Sequence, residues 1–377
     1  MRRNSLQDRP ANLQWGLAKF LVGGSLGVEW NDNVGYSDAN QQRDVVFRPS
    51  FTVGASLPFT EDNAFFASLD IGYAKYVRFP QYDRLIISPG TQLGFDIYVK
   101  DFHFDLHDGI SITEQPVAQG TISGAGDYGE FANTAGIGVD WDLNEVILSA
   151  GYEHENAIAT TSTFSYRDRS AENFVGRAGI QPSQAWTYGP EVSAGFTTYD
   201  HPVLDDSQNY SIGGFATWQP TTLFHANLRA GYTAFLFQSR PNQRPTPDAT
   251  SYYVGLEGAH RVNEIVALSL DAGRQVRLGI NSELLDLWYA RPRIDWHIFE
   301  NVHLDTHLTF ESGSDKGNSV LGITEDYTLL GGGIVASYHI IEKLLLGLSY
   351  DYTVKDSNSA LREYHQHKIQ VRIQYTF

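Results

Sequence analysis

The chain has 377 residues, 42% apolar and only 19% charged, with 35 Gly, 21 Tyr, 21 Phe, 7 Trp and a net charge of −17. That acidic balance argues against a bulk role on nucleic acid, whose phosphates need a basic face, and the absence of Cys excludes disulfides, thiolate metal ligands and a Cys nucleophile. No stretch approaches 18 uninterrupted apolar residues, so no transmembrane helix is expected, and a composition poor in helix formers but rich in Gly and aromatic residues reads as all-β.

In chain order, Met1 to Pro10 is polar without an apolar core, so no secretory signal is visible and an exported protein is expected to carry this chain in processed form. Residues 1-18 read as a lead-in on the periplasmic side or inside a lumen, and 19-377 as one unit. Strands are expected near 19-32, 45-59, 64-78, 85-100, 102-114, 128-142, 146-158, 171-181, 186-199, 207-218, 223-237, 251-262, 265-280, 287-299, 302-312, 325-340, 344-355 and 364-377. Short polar turns recur at Thr60 to Asn63, Lys100-Asp101, Asn144-Glu145, Pro182 to Ala185, Gln219 to Thr222, Asn263-Glu264, Glu300-Asn301 and Ile341 to Lys343. Between them lie longer Gly-, Asn-, Asp- and Ser-rich stretches, among them Gly35 to Asp44, Gln115 to Asp127, Thr160 to Arg169, Ser239 to Ala249 and Gly313 to Gly322. Tight turns on one rim and long loops on the other fit a transmembrane antiparallel up-and-down β-barrel of about eighteen strands, with sixteen as the alternative count.

Alternation supports this reading in strand after strand. Trp186, Tyr188, Val192, Ala194 and Phe196 share one face while Thr187, Glu191, Ser193 and Thr197 share the other. The last strand puts Ile369, Val371, Ile373, Tyr375 and Phe377 on one stripe, opposite Lys368, Gln370, Arg372, Gln374 and Thr376. A mean hydropathy of −0.29 agrees, because only alternate residues of such a wall meet lipid. Aromatic residues gather beside the short turns: Phe59, Phe65, Phe102, Trp141, Trp186, Trp218, Phe224, Trp296 and Phe299, as suits a headgroup layer. Lys75, Asp108 and Arg274 break the pattern by falling on the lipid phase, so they must lie near a rim or a bulge must shift the phase.

Eighteen strands enclose more space than inward side chains fill, so function lies in what faces the lumen. The pore-lining candidates by phase are Arg48, Asp70, Asp96, Arg177, Glu191, Arg229, Glu257, Asp271, Arg277, Arg291, Arg293, Asp305, Asp351 and Arg372. Two readings stand side by side: opposed charged sectors that sieve solutes, or cross-strand pairs that neutralise each other and stiffen the wall. The acidic excess predicts a mild preference for cations or neutral solutes, and Arg277, Arg291 and Arg293 are candidates for a local basic ladder. Tyr98, Phe215 and Phe235 face inward as candidate sugar-stacking rings.

Catalysis has little to rest on. Gly23-Gly24-Ser25-Leu26-Gly27 matches the G-x-S-x-G nucleophile pattern but lies inside an alternating strand, whereas the motif needs a strand-to-helix elbow. His103 and His107, like His303 and His307, are four apart, which on a strand separates them by about 13 Å. His297 and His303 approach across the Glu300-Asn301 turn with Asp295 and Asp305 nearby, so a metal or acid-base cluster is a minor alternative there to hydrogen bonding in the lumen. No catalytic residue, cofactor or metal is assigned.

The run Gly27-Val28-Glu29-Trp30-Asn31-Asp32-Asn33-Val34, followed by Val45-Val46-Phe47-Arg48-Pro49-Ser50-Phe51, resembles the opening of the putative β-barrel porin 2 family of outer-membrane proteins associated with exopolysaccharide export. The final strand is similar to the C-terminal strands of bacterial outer-membrane barrels, with Tyr375 and Phe377 in the place of the assembly signal. These resemblances imply a Gram-negative outer-membrane location, contact with the lipid bilayer and lipopolysaccharide, and partners in the barrel-assembly machinery and export-complex proteins; the acidic charge leaves no nucleic acid among the expected partners. With the lumen reading they give a channel or export conduit for polar solutes, with a polysaccharide link from the resemblance alone; a structural barrel in an envelope assembly is the alternative reading and a barrel hydrolase the second.

Overall fold

The computed structural model describes residues 11–114, 119–121, 123–238, 245–319, 322 and 324–377. It contains twenty strand segments: β1 Leu13–Trp15, β2 Ala18–Asn31, β3 Asp44–Pro58, β4 Ala64–Tyr76, β5 Arg84–Ile87, β6 Gln92–Val99, β7 Phe102–Thr113, β8 Glu130–Asp142, β9 Val146–Ala159, β10 Arg169–Ser183, β11 Trp186–Tyr199, β12 Asp206–Thr221, β13 Phe224–Gln238, β14 Ala249–Arg261, β15 Val266–Leu278, β16 Ser282–Phe299, β17 Val302–Ser319, β18 Asp326–Ile341, β19 Leu344–Ser357 and β20 Tyr364–Thr376. Each pairs antiparallel with its sequence neighbour, and β20 closes the ring on β2 through Gly23↔Thr376 to Asn31↔Lys368. β5 and β6 are two halves of one stave, and β1 is a short spur paired with the foot of β2, so the closed wall has eighteen staves.

The wall is built by two periods at once. Successive residues alternate sides, and each register pairs like with like, so Leu344, Leu346 and Leu348 meet Tyr375, Ile373 and Val371 while Gly347 meets Arg372. Val371 and Ile373 remain 46% and 49% exposed, which is tolerable only if hydrocarbon rather than water covers that face. At the short-turn rim the aromatic residues stack across strands: Phe102 on Trp141 at 5.3 Å and Trp186 on Trp218 at 5.5 Å between ring centroids. Lys100 and Asn144 adopt φ of 55° and 70° in two of these turns, the left-handed geometry that lets a tight hairpin follow the strand twist.

The three phase exceptions stay on the outer face without any local bulge. Lys75 sits one residue from the end of β4 and pairs with Asp83 beyond the strand. Arg274 is held by Asp286 at 2.7 Å and lies 4.0 Å over the Tyr252 ring, so its charge enters the wall already neutralised. Asp108 accepts from Asn133 Nδ2 at 2.6 Å.

Two strand boundaries depart from expectation. The stave expected over 85-100 breaks at 88–91, because Pro89 lacks an N–H and the chain bulges there, Ser88 N–H donating to Asp70 O and Thr91 Oγ1 accepting from Asp70 N–H. The polar stretch Gly313 to Gly322, expected as a loop, instead extends β17 to Ser319, where it pairs with β16 through Leu284↔Lys316 and Leu285↔Asp315. Leu284, Leu285 and Leu287 are each no more than 2% exposed, so the hairpin tip is packed against protein. Other sequence features fall partly outside the described residues: Met1 to Pro10 in the lead-in, and parts of the stretches Gln115 to Asp127, Ser239 to Ala249 and Gly313 to Gly322.

Candidate functional site

The long-loop mouth is not simply open. In the connection between β7 and β8, residues 120, 121 and 123 contact residues from the opposite side of the ring. Gly120 N–H donates to Glu311 at 3.2 Å, Thr121 O accepts from Asn281 and Arg362 at 3.1 Å each, and Ser123 Oγ donates to Arg362 O at 2.7 Å. A Cβ on Gly120 would fall 2.0 Å from the Tyr327 ring, so only glycine permits this approach. Beneath it lies a buried charge cluster in which Glu325 pairs with Lys355 at 2.5 Å and with Arg362 at 2.7 Å, and the Lys355 side chain is wholly shielded. Tyr128, from the same connection, packs with Phe164 and Ile280 of two other loops and narrows the mouth. Burial pushes the Tyr128 phenol above its usual range, against the pull of Arg167, and likewise Tyr82, where the Asp127 carboxylate adds to burial; both are neutral at physiological pH.

On the remaining wall, three hollows of about 340, 230 and 580 Å³ share Asn209 and together span β7 to β16. In the middle one, Glu191 is nearly buried and paired with two guanidinium groups, Arg177 directly across the β10–β11 ladder and Arg229 at 2.8 Å. The reach from Arg229 crosses β12 at Gly213, which itself contributes no side chain. Tyr253 lies flat over Gly231 and Gly213: a Cβ on either would come within 2.6 Å of its hydroxyl. Arg177 and Arg229 remain 39% and 44% exposed, so this triplet presents a net positive charge to the lumen. In the hollow above it Arg169 is tied to Glu130 and Glu155 at 3.2 and 2.8 Å, whereas Arg277 pairs with no carboxylate among the described residues and its Nε lacks a hydrogen-bond partner.

The strand registers put the fourteen charged candidates on one phase of the wall, opposite the exposed apolar stripe, most of them in neutralising pairs. Arg48 joins Glu29 at 2.9 Å and Glu114 at 3.1 Å; Arg291 joins Asp271 at 3.4 Å and Glu311 at 3.0 Å; Arg293 pairs with Asp305. Asp351 lies 3.1 Å from His307 and Asp96 3.1 Å from His103. Arg372 donates to Ser25 Oγ at 3.1 Å, in a hollow it shares with Asp70, and Glu257 lines two hollows. The ladder drawn from Arg277, Arg291 and Arg293 is therefore not a run of free cations: two of the three are capped by carboxylates. Sequence reasoning missed Glu114, Arg167, Arg169, Tyr253, Glu311 and the Glu325 cluster. Strand phase could have put Tyr253 and Glu311 inside, but no periodicity places loop residues in a lumen.

The inward rings are all engaged, Tyr98 stacked on His103 at 4.3 Å, Phe215 under Arg177 at 5.7 Å and Phe235 only 5% exposed. Ser25 sits mid-strand with its Oγ 2.7 Å from Ser50 Oγ, without the elbow a nucleophile needs.

Solved structures place this architecture. The chain aligns over 95% of its length with 99% of a BenF-like porin from Pseudomonas fluorescens at 10% identity and a TM-score of 0.50. It aligns equally with the outer-membrane protein OpdK of Pseudomonas aeruginosa, at 10% identity and 0.52. With OccK2 (OpdF) of P. aeruginosa, solved in complex with glucuronate, coverage is 96% and 98%, identity 11% and TM-score 0.51. The fold is that of an outer-membrane porin. No protein-family model and no curated protein matches the chain, so the likeness of Gly27 to Phe51 to the exopolysaccharide-associated family gains no support.

Proposed function

We propose that the protein is a passive channel of a Gram-negative outer membrane, short turns in the periplasm, that admits small polar solutes and favours those bearing a carboxylate. The observation that carries this is the Arg177–Glu191–Arg229 triplet, with Arg277, which pairs with no carboxylate among the described residues, in the next hollow. A permeating ion responds to charges within a Debye length of about 8 Å, so at the triplet itself two guanidinium groups against one carboxylate oppose the cation preference read from composition, with Glu257 in the same hollow and Asp105, Asp140 and Glu153 in the adjoining one setting the limit of that effect. The porin neighbour solved with glucuronate is in keeping with this reading. Export of polysaccharide has less behind it, since Tyr98, Phe215 and Phe235 are occupied by other contacts. Assembly by the barrel-assembly machinery is supported by the position of β20, the strand that closes the ring, with Tyr375 and Phe377 both on its outer face.

Planar-bilayer recording tests the proposal. Wild type should give discrete openings with a reversal potential shifted toward anions in a salt gradient. Replacing Arg177 and Arg229 by Ala uncovers Glu191; with about 1 kcal/mol per unit charge at 4 Å in water, relative anion occupancy should fall about fivefold for each charge removed. A folded barrel that stays silent would favour a structural role, and unchanged selectivity in the double variant would remove the triplet from the mechanism.

A further inference from the structure

The short-turn mouth carries a second constellation that the channel reading does not use. Asp295 and His297 lie two apart on the inner face of β16, and His303 is the register partner of His297 across the Glu300-Asn301 turn. Their donor atoms all fall within 4.8 Å of one another. His303 Nε2 is 2.9 Å and His297 Nδ1 3.5 Å from the same Asp295 oxygen, and the two imidazoles stack at 4.3 Å. His303 Nε2, although 2.9 Å from Asp295, is not aligned for a hydrogen bond, and the buried Asp305 Oδ1 makes none among the described residues. We propose that Asp295, His297 and His303 form a binding site for a first-row divalent metal ion of the zinc class on the lumen wall.

Two imidazoles and one carboxylate match the donor set such ions take, leaving a position for water or a passing solute. Hard ions such as Mg²⁺ and Ca²⁺, which prefer all-oxygen shells, should be discriminated against. Metal–nitrogen bonds of about 2.0 to 2.1 Å require lone pairs in the ring planes to converge, so the stacked rings must turn toward a common point. His297 is half exposed in the lumen and free to do so. Asp305 is engaged by Arg293 and is not counted among the ligands.

The test is Zn²⁺ titration of the purified, detergent-folded barrel by calorimetry, with Co²⁺ absorption as the second readout. One ion per barrel is expected, with a tetrahedral Co²⁺ band. His303→Ala should weaken binding by more than the roughly 10- to 100-fold that loss of an outer-shell partner costs. Asp295→Asn, which keeps shape, should do the same if an alanine variant folds poorly, and His103→Ala elsewhere in the lumen should leave binding unchanged. No Zn²⁺ binding by wild type up to millimolar concentration, or undiminished binding in both His303→Ala and Asp295→Asn, would overturn the site. The channel reading is unaffected either way, because it is judged by selectivity at Arg177 and Arg229.

Discussion

Glu325→Leu should destabilise the barrel by about 3–5 kcal/mol and enlarge its single-channel conductance. Glu325 is the common partner of Lys355, whose side chain is fully shielded, and of Arg362, which is about one tenth exposed. Removing the carboxylate leaves two buried cations facing each other, and breaking a buried pair from one side costs this much because the remaining charge is left uncompensated. Lys355 Nζ and Arg362 are also the groups that hold Ser123 and Thr121, so their displacement frees the inward loop at its far anchor. Urea unfolding of the folded barrel reads the first effect and planar-bilayer recording the second. An unaltered conductance in a correctly folded variant would mean that the crossing loop does not limit flow.

A charge on the outer stripe should be nearly as costly. Val371→Arg is expected to lower stability in lipid by about 2–4 kcal/mol, the cost of Arg toward the bilayer midplane, while Gln370→Arg one residue away should change it little, because Gln370 faces the lumen. Reversible folding into vesicles, compared for the two variants, measures the difference. Equal effects would contradict the assignment of faces. Arg274 shows what a tolerated exception requires: an acidic partner at 2.7 Å and an aromatic ring beneath the guanidinium.

The wall was legible because its two signals are local. Alternation across Lys368 to Phe377 gives the face, and pairs such as Lys100-Asp101 and Asn144-Glu145 give the turns, whose left-handed φ values match hairpin geometry. What escaped was decided elsewhere in the chain. Gly313 to Ser319 looks like a loop by composition, yet β16 supplies it a partner and the mouth supplies its packing. The inward course of the loop at Gly120 depends on Tyr327, some two hundred residues distant, and no pattern near Gly120 announces it. At the candidate site the phase gave direction but not partners. Arg277 and Arg291 are equivalent basic residues by sequence, yet among the described residues one has no carboxylate partner and the other is capped twice, because Asp271 and Glu311 stand beside Arg291 on the neighbouring strands whereas Leu285 faces Arg277. The Asp295, His297 and His303 grouping was visible in advance only because the turn at Glu300-Asn301 fixes a short register.

The chain contains no cysteine, so single cysteines can be placed along β20 without background. With the protein in lipid vesicles, a membrane-impermeant thiol reagent should label Cys at 370, 372 and 374 and spare Cys at 369, 371 and 373, while a lipid-borne quencher reports the opposite set. Uniform labelling, or quenching at the polar positions, would show that the apolar stripe does not face hydrocarbon around a water-filled lumen.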